Sequence, residues 1–163
     1  MKRSLHATAA FSLVEITLAL GVAAFCLIAV MGMLPAGLKT QQGSVNQTKA
    51  NAIIVQITAD LRADVRLPPG QAKTDQFGLN NHWAAVATPD TIYFTNDLEQ
   101  TGGVNPATVP TNPPAVFRAT VTYLFPPTAT TSIAKISVSW PAQVDPATGV
   151  PAGSAEAFVA VNR

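Results

Sequence analysis

Hydrophobic and polar positions change period along this chain, and each change predicts an element. Phe11–Leu34, FSLVEITLALGVAAFCLIAVMGML, is apolar at almost every position, with only Ser12, Glu15 and Thr17 clearly polar. At ~1.5 Å rise per residue that run makes a helix of roughly 36 Å, enough to cross a ~30 Å hydrocarbon core. Thr40–Arg66 is amphipathic instead. Val45, Ile53, Ile54, Ile57, Leu61 and Val65, with Ala50 between, recur at helical spacing on one stripe. Asn46, Gln47, Lys49, Gln56, Asp60, Arg62 and Asp64 fill the other faces, which places Asp60 and Asp64 on a solvated side and Arg62 and Arg66 near carboxylates at helical spacing. Between the two halves, Gly32, Pro35 and Gly37 predict a kink or a locally melted stretch, not a stop. Pro68-Pro69-Gly70 ends the pattern, so a single long helix is expected from Phe11 to about Leu67.

The rest of the chain reads as β-structure and loops. Gln71–His82 is polar and reads as loop, and Trp83–Ala87 and Thr91–Thr95 read as a hairpin turning at Pro89-Asp90. Asn96–Pro114 has no periodicity and is rich in Gly and Pro, which predicts one long loop, functional or disordered. Ala115–Phe125 alternates strictly: Phe117, Ala119, Val121, Tyr123 and Phe125 face one way, Arg118, Thr120 and Thr122 the other. Ile133–Trp140 alternates as well, and the short connection between these strands predicts antiparallel pairing. Pro126-Pro127 and Pro141 close the two strands. Gln143–Ala155 reads as a Pro/Gly loop and Glu156–Val161 as a final edge strand. The expected class is α+β: a long N-terminal helix whose amphipathic half packs on an antiparallel sheet of about four or five strands.

Composition narrows the function. The net charge is +1 and only 12% of the residues are charged, so no electrostatic case exists for nucleic acid or an acidic substrate. The single cysteine, Cys26, lies inside the apolar run, excludes an intramolecular disulfide and reads as a small apolar side chain. The two histidines are His6 and His82, too few for a zinc site. There is no G-x-S-x-G, no P-loop and no plausible serine triad, and Gly102-Gly103 alone is not a phosphate cradle. No enzymatic activity and no cofactor are expected. Trp83, Tyr93, Tyr123 and Trp140 read as strand core more readily than as an exposed patch.

Glu15 does not fit an ordinary anchor. A carboxylate inside a bilayer costs roughly 2.5–3.5 kcal/mol or more, and such a residue marks function and calls for a partner. It also lies in the first helical turn, where the macrodipole favours negative charge. Lys2, Arg3 and His6 precede the run with no acid, which predicts a cytoplasmic N-terminus and a C-terminal domain on the far side of the membrane. The apolar core of a secretory signal peptide runs about 7–15 residues and ends at a small-residue site. This run is longer and ends in Met33-Leu34-Pro35.

Ala10-Phe11-Ser12-Leu13-Val14-Glu15 resembles the cleavage and methylation motif of type IV prepilins and pseudopilins. The resemblance covers about the first third of the chain. It implies cleavage by a prepilin peptidase between Ala10 and Phe11, N-methylation of Phe11, and an assembly role for Glu15 as the fifth mature residue. The family usually has Gly where this chain has Ala10. The implied segments are a leader peptide at 1–10, a transmembrane and assembly helix at 11–34, its amphipathic continuation at 35–67 and a globular sheet domain at 68–163. The implied partners are the peptidase, other pilin or pseudopilin subunits, an assembly ATPase, a platform membrane protein and inner-membrane lipid. The implied location is the bacterial inner membrane as a single-pass precursor, then a pilus (fimbrium) or a type II secretion pseudopilus. Without a disulfide, a minor subunit fits better than a major one. Some pseudopilins hold calcium in a loop, and Asp97, Glu99 and Asn105 are the candidates here. Their spacing matches no oxygen-ligand pattern, and a solvated turn is the plainer reading. The alternative function is an uncleaved, membrane-anchored periplasmic binding module that grips a partner with the Asn96–Pro114 loop.

Overall fold

The computed structural model describes residues 11–64, 73–80, 88–124 and 131–162. The leader, Val65–Leu67, His82, the strand expected at Trp83–Ala87 and Phe125 lie outside them. The order of elements is α1 (Leu13–Asp64), β1 (Asp90–Phe94), β2 (Gln100–Val104), β3 (Phe117–Tyr123), β4 (Thr131–Trp140) and β5 (Gly153–Asn162). One long N-terminal helix and a five-stranded antiparallel sheet make an α+β layout. The chain divides into two compact units, Met1–Gln42 and Gly43–Arg163.

In the first unit α1 is helical without interruption through Gly32, Pro35 and Gly37. The melted stretch expected there does not form. One proline removes a single backbone donor, and the flanking apolar residues have no competing structure to adopt.

In the second unit the helical stripe meets the sheet. Ala50, Ile53, Ile54, Ile57 and Leu61 are buried in one core with Ile92 and Phe94 of β1, Phe117, Ala119 and Val121 of β3, Ile136 and Val138 of β4, and Val159 and Val161 of β5. Val45 was expected on this stripe and is exposed, because the core begins about a turn later, at Ala50. The sheet order is β2-β1-β3-β4-β5, with rows of paired residues that keep one face apolar. Ile92 pairs with Ala119, Ala119 with Val138, and Val138 with Ala155. The next row, Thr91–Thr120–Ser137–Glu156, points to the opposite face. Phe117 meets Trp140, and Phe77 meets Phe94, in edge-to-face pairs with centroids 6.1 and 5.5 Å apart. Tyr93, Tyr123 and Trp140 are buried or half-buried against core residues, as expected of strand aromatics.

The structure corrects one loop and three strand starts. Strand β1 pairs with β2 and β3, and β2 lies inside the stretch read as a loop. The sequence of β2 is QTGGV, with no hydrophobic alternation to betray it. Its register against β1 slips between Ile92 and Tyr93, and the slip is taken up by Gly102 and Gly103, both at positive φ. Glycine is needed at 102 because a Cβ there would overlap the ring of Pro110. Strand β3 is shorter than expected at its N-terminal end, since Ala115 joins a small second cluster with Tyr93 and Ala142. Strands β4 and β5 start earlier than expected, and Gly153, which opens β5, lies flat against the Trp140 indole.

Asp60 corrects the helix reading. It is buried, not solvated, and its carboxylate accepts the N–H groups of Gln76 (3.1 Å) and Phe77 (3.2 Å). Those bonds tie the 73–80 turn to the helix and seat Phe77 and Leu79 in the core. Thr74 closes the turn from inside, its backbone N–H donating to the Leu79 carbonyl and its hydroxyl accepting from the Leu79 N–H. Replacing Ile57 with Ala is expected to cost ~2–5 kcal/mol through lost burial and a cavity. Asp60→Ala is expected to cost about 1–3 kcal/mol by stranding two backbone donors, the Phe77 N–H among them buried. Val55→Ala, at an exposed position, should be near neutral; thermal melts followed by tryptophan fluorescence rank the three.

Candidate functional site

The site residues named by the sequence cluster at the start of α1. Ser12 precedes the first helical residue and caps it: its hydroxyl accepts the Val14 N–H at 3.2 Å, and its carbonyl accepts from Glu15 and Ile16. Thr17 returns its hydroxyl to the Val14 carbonyl at 2.9 Å. The clearly polar side chains of the apolar run are thus internally satisfied, apart from Glu15. Among the described residues its carboxylate has no hydrogen-bond or ion-pair partner. Around it the large apolar side chains from Phe11 to Leu34 are exposed by 50% (Ile16) to 80% (Leu13), on every side of the helix. A helix apolar all round is the pattern of a membrane span or of a helix buried in a protein core. By length and composition α1 could cross a membrane. Phe11 is exposed beside the cap, and Ala10 lies outside the described residues. Cys26 is an exposed free thiol on the same run.

The calcium candidates are placed in a different setting. Asp97 and Glu99 are exposed in the β1–β2 turn, where both backbone N–H groups donate to the Thr95 hydroxyl. Leu98 adopts the left-handed region at φ 66° and leans on the core. Lys49 of α1 fastens this turn, donating to the Asn96 carbonyl (3.0 Å) and side-chain oxygen (2.6 Å). Asn105 is occupied elsewhere. Its Oδ1 accepts the Thr91 N–H at 2.7 Å, and its Nδ2 donates to Asp90. Asp90 is buried and also takes two bonds from Asn80, both 2.7 Å, so it joins the 73–80 turn, β1 and the loop after β2. Among the described residues no group of three or more His, Cys, Asp or Glu could hold a metal ion.

The outward face of the sheet carries charges that sequence reasoning did not single out as a site. Arg118 donates to Asp145 at 2.8 Å and lies over the Tyr93 ring. Lys135 pairs with Glu156 at 2.8 Å, and Ser137 donates to the same carboxylate. Alternation in β3 and β4 signals the outward residues, but nothing in the sequence brings Asp145 back from its loop. The Ala147 N–H, with the Arg118 guanidinium adding to it, holds the Asp145 carboxyl below the usual carboxylate range. The hydrogen bond from Lys135, ahead of its charge, does the same for Glu156.

Comparison with known protein families, characterised proteins and solved structures gives no match to this chain.

The depressed carboxyls make stability depend on pH. In the acid range the unfolded chain binds more protons than the folded one, so the two pairs contribute fully above about pH 5 and their contribution is lost as pH falls through the folded values. The fall in melting temperature on acidification should be shallower for an Asp145→Asn/Glu156→Gln double variant than for the wild-type chain. Melts at stepped pH test this.

Proposed function

We propose that the chain is a structural subunit, of minor pilin or pseudopilin type, of a type IV pilus or a type II secretion-like filament. A prepilin peptidase cuts between Ala10 and Phe11, Phe11 is N-methylated, and the subunit assembles through its N-terminal helix. The observation that carries this reading is the Glu15 carboxylate, without a partner among the described residues, in a helical run from Phe11 to Leu34 otherwise clothed in exposed apolar side chains. The cut creates a positive amine at Phe11, and the Glu15 of a neighbouring subunit meets it. Two charges that are each costly in hydrocarbon become a pair only when subunits are in register, so the pair selects register more than it adds stability. The apolar run then has two uses: it dissolves in the inner membrane before assembly and buries against other helices afterwards. The sheet unit is carried outward on the filament.

The sequence spacing offers the anchored binding module one argument. Ser12 and Glu15 stand at capping-box spacing, which would give a Glu a local use in its own helix, although only the Ser12 half of the box is formed. Gln serves a capping box as well as Glu but carries no charge to form an ion pair with an amine. Glu15→Gln should therefore abolish incorporation into filaments if Glu15 is the assembly residue, and should leave an anchor unaffected. Glu15→Leu should insert in membranes at least as well as the wild-type chain while failing to assemble. The first measurement is the intact mass and N-terminal sequence of the membrane-extracted protein co-expressed with a prepilin peptidase. A chain starting at methylated Phe11 is the expected product. A chain that keeps Met1–Ala10 would overturn the filament reading.

A further inference from the structure

The outward face of the sheet is built like a site. Thr91, Thr120, Ser137 and Glu156 stand side by side across β1, β3, β4 and β5. Arg118 flanks this row on one side and Lys135 on the other, and the loop after β4 brings Asp145 and its neighbours over Arg118. Together they wall a groove of about 550 Å³, within the size range of small-molecule sites.

Its chemistry is specific in two ways. The charges balance, Arg118 against Asp145 and Lys135 against Glu156. The groove therefore has no net field to attract an anion or a cation. What it offers is a dense set of hydroxyls, carboxylate acceptors and cationic donors. Among the described residues, Arg118 Nε is a buried donor without a hydrogen-bond partner. A buried donor left unmade is costly, and a small shift of the 17% exposed Arg118 side chain would open it to a ligand acceptor. Just outside the groove lining, two residues beyond Glu156 on β5 and beside Lys135, Phe158 is 64% exposed. It opposes Lys135 across β4 and β5, with the ammonium 6.0 Å from its ring centroid. A large aromatic displayed beside paired charges is an unusual use of a solvent face.

We propose that this groove binds a neutral oligosaccharide. A sugar ring matches it on both counts. Its C–H face stacks on Phe158, and its hydroxyls donate to Asp145 and Glu156 while accepting from Arg118 and Lys135. Paired charges suit such a ligand better than lone ones, because each hydroxyl is donor and acceptor at once. The assignment is independent of filament assembly.

The test uses the full chain in a sugar-free detergent, applied to a glycan array of neutral gluco-, galacto-, manno- and N-acetylglucosamine oligomers with sialylated and sulfated counterparts. Saturable binding to at least one neutral oligomer is expected. Phe158→Ala should weaken it about three- to tenfold. Thr120→Val, which keeps side-chain shape and removes the hydroxyl, should weaken it as well. Val150→Ser, at an exposed position away from the groove lining, should not; circular dichroism confirms that each variant is folded. No binding to any neutral oligomer would overturn the proposal. So would binding confined to the sialylated and sulfated glycans, or neutral binding that neither Phe158→Ala nor Thr120→Val changes.

Discussion

The sheet unit depends on one match of surfaces: the stripe Ala50, Ile53, Ile54, Ile57 and Leu61 against the apolar face of the sheet. Without that stripe, the inward rows from Ile92 to Ala155 and from Val121 to Ile136 would be left facing water. At roughly 25 cal/mol per Å² of apolar surface removed from water, no set of surface ion pairs on this domain compares with it. The polar ties are secondary but directional. Asp60, Asp90 and Lys49 each fasten a turn that the hydrophobic contact alone would leave free to slide.

The same helix is asked to satisfy two environments. Its C-terminal half reads as amphipathic because one side meets a protein core and the other meets water. Its N-terminal half has no polar side, the pattern of a helix that could cross a membrane. The change of period between Leu34 and Ala50 separates the two patterns along a single element. Glu15 departs from that rule in a segment that otherwise obeys it.

The regular parts of this fold were legible before the structure. The alternation in β3 and β4 announced the strands, their facing and their pairing, since a half-buried strand must alternate. The apolar run and the stripe announced the helix. The missed features share one cause, a local pattern set by a distant contact. β2 was unreadable because QTGGV owes its shape to Pro110 and to the slipped register against β1. Asp60 looked like a surface acid because its partners, the Gln76 and Phe77 amides, belong to a turn whose folding periodicity does not report. The Ala10–Glu15 motif could be read from consecutive residues, whereas the outer-face groove could not, because Asp145 reaches Arg118 from 27 residues away.

The small cluster of Tyr93, Ala115 and Ala142 lies apart from the main core, on the side of the sheet where Arg118 stacks on Tyr93. It dries one corner of an otherwise wet surface. The Arg118 side chain is 17% exposed there, against 33% for Lys135 at the other end of the groove. Mobile ions screen charges that water can reach far more than charges packed against hydrocarbon. Raising ionic strength should therefore loosen the Lys135–Glu156 pair before Arg118–Asp145, so that the two ends of the same face respond to salt unequally.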